Sequence, residues 1–183
     1  DLWEWDGVAW TQRTGTAGAL PSRRQSIAAH DLGLGRTLLF GGEVDVDAWL
    51  LGPVSTAAVV EYGSGCPGTF GLPELRVVGQ PFVGNAWFGV RLSALVPGAS
   101  ALLGVSTLQG NLPLPGGCTA LVDQPFWLPG VADARGVIDL ALPIPNLASL
   151  RGVSAFAQAV AADPNGALAN VLAFSAGLRV TLD

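Results

Sequence analysis

Short apolar runs, several of which alternate with polar residues, follow one another along the chain and are separated by turn-forming residues. Alternation with a period of two places every second side chain on one face and is typical of a half-buried β-strand. The 25 glycines and 13 prolines make about a fifth of the 183 residues, which favours short strands and turns over helices. The pattern therefore predicts an all-β protein.

The first fifty or so residues begin with a predicted hairpin. Residues 1–12 contain two apolar runs that flank Asp6-Gly7, which is a strong two-residue turn signal. Further strands are predicted at residues 25–30, 36–40 and 43–51, with glycine-containing turns between them.

The remainder of the chain contains seven more predicted strands with turn signals between them. One of these predicted turns lies at residues 128–130. This arrangement predicts an antiparallel β-sandwich or jelly-roll-like domain. Residues 155–162 would also suit a short helix by propensity, but we favour a strand because they lack a helical apolar stripe. The predicted strands span residues 74–78, 86–95, 99–107, 119–123, 136–142, 153–161 and 174–182.

Cys66 and Cys118 are the only cysteines and lie far apart in the sequence. This spacing predicts one disulfide and an oxidising compartment, with two buried free thiols as the alternative. A bond closing a loop of about fifty residues would stabilise the fold by about 4 kcal/mol in the chain-entropy treatment. We predict a strand segment at residues 1–55 followed by a disulfide-stapled β-sandwich domain at residues 56–183.

The chain carries little charge: 13% of its residues are charged, 50% are apolar, and its net charge is -5. Nucleic acid is excluded as a partner because neutralising phosphates requires a basic face. A chain with so little charge must cover part of its surface with apolar side chains, and large apolar patches usually mark contacts with other chains. We therefore expect self-association.

The apolar runs are too short for a membrane-spanning helix, because about 20 consecutive apolar residues are needed. The chain has no initiating methionine and no visible signal peptide, which is typical of a processed piece of a longer precursor.

Catalytic chemistry is poorly represented. His30 is the only histidine, and its neighbour Asp31 would face the other side of a strand, so the two cannot act together locally. We interpret His30 as a structural polar residue. A glycosidase needs a carboxyl pair, and nothing in the spacing selects two of Glu4, Asp6, Glu61 and Glu74. One histidine and two oxidised cysteines cannot build a structural zinc site. We predict no enzymatic activity and no cofactor.

A weak calcium site is one interpretation of Glu43, Asp45 and Asp47, which alternate along one predicted strand and so share a face. Aligned carboxylates repel one another unless they are solvated or bridged by a cation, and calcium prefers oxygen ligands. The alternative is a solvated edge that discourages unwanted strand pairing.

Exposed aromatic side chains are candidates for contacts with a partner or with sugar rings. Tryptophans in strands are more often core or interface anchors. Phe126-Trp127 sits between two prolines in a predicted loop, where no core is available to bury it. The candidates are Trp3, Trp5, Trp10, Trp49, Phe126 and Trp127.

The N-terminal segment resembles one kelch repeat of a β-propeller. The similarity rests on DLWEWDG at residues 1–7 with Trp10, on GRTLLFGG at residues 35–42, and on Trp49, which follows the paired glycines. It implies a four-stranded blade of the kind that repeats about every fifty residues. A lone blade has no neighbouring blade against which to bury its faces.

The rest of the chain resembles a C-terminal module of secreted multidomain proteins from planctomycete-type and myxobacterial-type bacteria. The similarity covers about 120 residues. It implies secretion and an accessory role that follows propeller-like repeats. The residues that carry it are YGSGCPG at 62–68, Gly117-Cys118, LPIP at 142–145, LRG at 150–152, Gln158-Ala159 and FSAGL at 174–178.

Two functional hypotheses follow. In the first, the chain is a secreted structural protein that self-assembles into a filament or surface layer by β-strand addition, because the strands of the lone blade lack partners. In the second, it is a carbohydrate- or cell-surface-binding module at the end of a larger kelch protein.

Overall fold

The computed structural model describes residues 2–5, 8–13, 24–31, 36–42, 47–51 and 57–183. These residues form sixteen β-strands and two single-turn 3₁₀ helices, with no α-helix among them. The prediction of an all-β protein is therefore confirmed. The described residues up to position 51 belong to one compact unit and residues 57–183 to another.

The N-terminal unit contains two small antiparallel sheets. Strand β1 (Leu2–Trp5) pairs with β2 (Trp10–Arg13), so the predicted hairpin is confirmed, although its turn lies outside the described residues. Strands β3 (Ile27–Asp31), β4 (Arg36–Phe40) and β5 (Ala48–Leu51) form the second sheet, in which β4 is central.

The C-terminal unit contains a larger set of strands. They are β6 (Ala58–Tyr62), β7 (Glu74–Val78), β8 (Gly89–Ser93), β9 (Ser100–Ser106), β10 (Leu108–Pro113), β11 (Thr119–Asp123), β12 (Phe126–Val131), β13 (Ile138–Ala141), β14 (Ser154–Ala162), β15 (Leu172–Phe174) and β16 (Gly177–Thr181).

Two antiparallel sheets of this unit pack face to face. The large sheet has the order β12-β9-β14-β16-β6, with β15 added beside β14, and the small sheet has the order β13-β8-β7. A separate hairpin is formed by β10 and β11. One apolar core joins the inner faces of both sheets; it includes Leu75, Val90, Leu92 and Ile138 from the small sheet and Leu103, Ala159 and Leu178 from the large one. This packing is consistent with the predicted β-sandwich.

Strand alternation fixes which residues face the core. In β9, Ala101 and Leu103 are buried in the core, whereas Leu102 between them is exposed on the outer face. In β14, Ala157, Ala159 and Ala161 face the core, and small side chains at these three positions let the two sheets approach closely. This strand was the one that propensity also allowed to be a helix, and the preference for a strand is confirmed.

The disulfide prediction is confirmed. Cys66 and Cys118 are bonded across a sequence separation of 52 residues, so the alternative of two free thiols is wrong. Both cysteines are buried with Phe174 in a second, smaller apolar cluster. Cys66 also exchanges backbone hydrogen bonds with Phe174, N to O at 2.9 Å and O to N at 3.1 Å.

Three strands were not predicted from the sequence: β6, β10 and β12. The predicted turn at residues 128–130 is wrong, because these residues continue β12. Pro129-Gly130 has the composition of a turn, but β12 is an edge strand, where a proline need not donate to a neighbour. The predicted strand at residues 174–182 is divided between β15 and β16.

Within the described part of the chain, no helix is long and apolar enough to cross a membrane.

Candidate binding surfaces

The N-terminal unit exposes most of the apolar side chains that the structure describes in it. Among the side chains described in residues 1–51, none is buried. Ile27 in β3 is 71% exposed, Leu50 in β5 is 64% exposed, and Phe40 in β4 is 53% exposed. Two- and three-stranded sheets normally need an apolar face packed on something to be stable. This surface is therefore the first candidate for contact with another molecule.

The predicted tryptophan candidates of this unit have different surroundings. Trp10 in β2 is exposed, whereas Trp49 in β5 is half-buried. Trp49 Nε1 donates a hydrogen bond to Asp47 Oδ2 at 2.6 Å. Trp3 and Trp5 lie in β1, but their side chains are outside the described residues.

The calcium candidates are only partly within the described chain. Glu43 and Asp45 lie outside the described residues, and the Asp47 carboxylate accepts the Trp49 hydrogen bond. Among the residues that the structure describes, no three His, Cys, Asp or Glu side chains are grouped as metal ligands. The calcium site remains a prediction.

His30, the only histidine, makes a hydrogen bond through Nδ1 to Thr37 Oγ1 at 2.8 Å on the paired strand.

Phe126 and Trp127 lie in edge strand β12, so their predicted placement in a loop is wrong. Their side chains belong to opposite faces of the sheet, because successive residues of a strand alternate. Trp127 pairs with Gly104 and lies over it; a Cβ at position 104 would come 2.8 Å from Trp127 Cζ3. Phe126 is 71% exposed and Trp127 is 45% exposed, yet the two side chains do not form one patch.

An apolar groove lies beside Trp127 on the outer face of the large sheet. Leu102, Pro129 and Val160 occupy one cross-strand row of this face, because the register pairs Leu102 with each of the other two. With Val131 and Leu172 they line a cavity of about 660 Å³.

A second cleft opens between β6 and β7, the edge strands of the two sheets. It consists of two cavities of about 400 Å³ each, and Glu61, Leu75 and Arg76 line both of them. One cavity also contains Glu74, together with Phe70 and Leu72, both more than 45% exposed. Of the four carboxylates named as glycosidase candidates, the structure thus brings Glu61 and Glu74 into one cavity.

Gln158 attaches the β10–β11 hairpin to the outer face of the large sheet. Its side chain is buried; Oε1 accepts from the Leu121 N–H at 2.8 Å, and Nε2 donates to the carbonyls of Thr119 and Ser175 at 2.9 and 3.0 Å. Tyr62 Oη donates to the Leu121 carbonyl at 2.7 Å, and burial raises the pKa of the Tyr62 phenol.

A buried carboxylate closes the turn after β14. Thr69 donates to Asp163 from its backbone N–H at 2.7 Å and from Oγ1 at 2.6 Å, and the Asn165 N–H donates at 2.8 Å. Burial alone would raise the pKa of Asp163, but the two Thr69 hydrogen bonds and the Asn165 hydrogen bond together lower that pKa below its ordinary value.

The outer face of the small sheet is polar. Arg91 in β8 forms a two-pronged ion pair with Asp139 in β13, at 2.7 and 2.9 Å. The hydrogen bond from Arg91 lowers the pKa of the Asp139 carboxyl. This face therefore resembles an ordinary solvated surface, in contrast with the apolar outer face of the large sheet.

Comparison with known proteins finds no matching family model, no similar curated protein and no similar solved structure. The kelch and C-terminal-module similarities accordingly remain predictions, and a function must be argued from the chain's own residues. Sequence reasoning missed the cleft between β6 and β7, because β6 was not predicted as a strand.

Proposed function

We propose that this chain is a non-enzymatic, secreted structural protein that assembles with copies of itself through its N-terminal strands. One observation carries the proposal: none of the apolar side chains described in residues 1–51 is buried. Ile27, Phe40 and Leu50 come from all three strands of the β3–β5 sheet and remain more than half exposed.

Burial of this surface by another copy is energetically favourable. Removing apolar area from water stabilises an interface by about 25 cal/mol per Å², so several large side chains together supply a substantial driving force. The edge strands of such a small sheet also offer backbone groups to a neighbour, which favours strand addition. A contact of this kind that does not close into a ring propagates as a filament.

The sandwich, in contrast, has features that oppose pairing at its edges. In β12, Pro129 has no N–H to donate to an added strand. In β6, Glu61 pairs with Leu178 of the core and therefore has its side chain on the inner face, where its charge disfavours pairing with a strand that lacks a cationic side chain. These two residues direct assembly away from the large sheet and towards the N-terminal unit.

Secretion is part of the proposal and is supported by the disulfide, because such bonds persist in oxidising compartments.

Sedimentation velocity tests the assembly. The double variant Ile27→Lys/Leu50→Lys places charges on the exposed sheet, and we expect it to shift the chain from large species to the single-chain form. Leu112→Lys is the matched control, because Leu112 in β10 is 63% exposed, close to the 64% of Leu50. Equal sedimentation of the double variant and the wild type would refute assembly through these strands.

Carbohydrate binding is the second candidate, favoured by the position of Trp127. Its ring lies over Gly104 and is 45% exposed, which leaves an aromatic surface on which a sugar ring can stack. Trp87, between β7 and β8, is 65% exposed and serves as the control. Glycan-array binding that is lost in Trp127→Ala and retained in Trp87→Ala would support this function. Absence of binding by the wild type would remove it.

A further inference from the structure

The cleft between β6 and β7 has the geometry of an acceptor for an extended peptide. Within the described chain, β6 pairs only with β16 and β7 pairs only with β8, so both strands are edges. The cavities between them are lined by residues from both strands. An extended chain that adds to an exposed edge gains main-chain hydrogen bonds, and pockets for alternate side chains provide selectivity.

The two cavities follow one another along the strands. The second cavity is the one that contains Glu74, Phe70 and Leu72, and the first is its neighbour. In β6, Val59 lines only the first cavity, whereas Glu61 lines both. Along β7, Val77 lines only the first cavity and Glu74 only the second, with Leu75 and Arg76 shared. A strand in the cleft would point every second side chain inwards, and successive inward side chains are about 7 Å apart. The cleft therefore suits an apolar side chain in each cavity with one side chain between them.

The charges that line the cleft indicate which peptide side chain lies between the two cavities. Arg76 is already paired with Glu74, whose Oε2 lies 3.2 Å from its Nη2. Among the described residues, the Glu61 carboxylate makes no hydrogen bond or ion pair, although it borders both cavities. The cleft thus places the Glu61 carboxylate between two cavities of mixed lining, in which Val59 and Val77 contribute apolar side chains to one, and Phe70 and Leu72 contribute them to the other.

We infer that the β6–β7 cleft binds an extended peptide of another protein, in which an arginine or lysine lies between two apolar residues at every second position. The peptide adds to the edge of β6, its cationic side chain meets Glu61, and its apolar side chains enter the two cavities. A second copy of β6 does not fit this site, because its sequence, Ala58–Tyr62, contains no arginine or lysine to meet Glu61. The site is built from residues of the C-terminal unit, whereas the proposed assembly surface is built from residues 1–51.

Fluorescence polarisation of the full chain with a labelled peptide tests this inference. The probe is Ser-Val-Thr-Arg-Thr-Val-Ser, capped at both ends, in which valine, arginine and valine share one face. We expect saturable binding to the wild type, weakened about tenfold or more by Glu61→Gln, because glutamine can still accept a hydrogen bond but no longer carries the negative charge that attracts the peptide arginine. Asp123→Asn is the matched control, since Asp123 is exposed on β11 and lines neither cavity.

Two further probes separate strand addition from simple charge attraction. A peptide with glutamate in place of arginine should bind Glu61→Arg better than it binds the wild type. Of two peptides N-methylated on alternate sets of residues, only one should lose binding, because only one set faces β6. No wild-type binding at about 1 mM peptide, equal binding by Glu61→Gln, or equal tolerance of both N-methylated peptides would overturn the inference.

Discussion

The buried Gln158 amide oxygen accepts a hydrogen bond from the Leu121 backbone N–H at 2.8 Å. This contact joins a strand of the large sheet to a hairpin that belongs to neither sheet of the sandwich. The amide nitrogen of the same side chain donates hydrogen bonds to the backbone carbonyls of Thr119 and Ser175, so one residue satisfies three backbone groups. Replacing Gln158 should therefore lower the free energy of unfolding by more than the size of its side chain suggests.

Gln158→Leu should destabilise the fold by about 3 kcal/mol, because it leaves three backbone polar groups without their partner in a largely buried setting. Urea unfolding followed by tryptophan fluorescence measures the change. Gln109→Leu is the control, since Gln109 in β10 is exposed. A Gln158→Leu variant as stable as the control would show that the hairpin does not depend on this side chain.

Reduction of the disulfide should lower the free energy of unfolding by about 4 kcal/mol, because the bond closes a loop across 52 residues. Denaturant titration with and without a reductant gives the difference. The double variant Cys66→Ser/Cys118→Ser serves as control, because reductant should leave its transition unchanged. A wild-type transition that does not move on reduction would contradict the predicted stabilisation.

Asp163 should make part of the stability depend on pH. Its pKa in the fold is lowered below the unfolded value of about 3.9, so its stabilisation is fully present above about pH 4. It is lost as pH falls through the lower, folded pKa. Asp163→Asn should therefore be less stable than the wild type at pH 7, and this difference should shrink as the solution is acidified.

Thermal unfolding between pH 7 and pH 2 measures this effect, with the exposed Asp123→Asn as control. The pKa of Asp139 is lowered by Arg91, and that of Asp133 is lowered by hydrogen bonds from the Val137 backbone N–H and from Arg135, so both carboxyls keep some acid dependence in every variant. A difference between Asp163→Asn and the wild type that stays constant over this range would be incompatible with the account.

Pro129→Val should make the large sheet prone to pairing, because it adds an N–H to an uncharged edge strand of six residues. We expect larger species by sedimentation velocity even in the background of Ile27→Lys/Leu50→Lys. Pro97→Val, in an exposed turn, is the control. An unchanged sedimentation profile would mean that Pro129 does not protect this edge.

The strand pattern of the fold was largely predictable, and the binding surfaces were less so. The turn residues that bound β7, β9, β11 and β14 made these strands predictable, and for β14 the lack of a helical apolar stripe decided between strand and helix. The edge strand β12 was missed because Pro129-Gly130 has a turn-like composition, and only its position in the sheet explains why a proline is tolerated.

The role of individual polar residues depended on long-range contacts. Gln158 looks like an ordinary polar residue in an apolar run, and its three partners are 17 to 39 residues away in sequence. The sequence did not distinguish Glu61 from the three other candidate carboxylates. Its pairing with Leu178, which puts its side chain on the inner face of the large sheet, is visible only in the structure. No local pattern reports such pairings, whereas the disulfide was predictable because only two cysteines exist.

Multi-angle light scattering of the full chain over a wide concentration range tests the central claim most directly. Self-assembly through the N-terminal strands predicts a mass above that of a single chain, which rises with concentration and returns towards one chain in Ile27→Lys/Leu50→Lys. A wild-type mass equal to one chain at the highest concentration would contradict it.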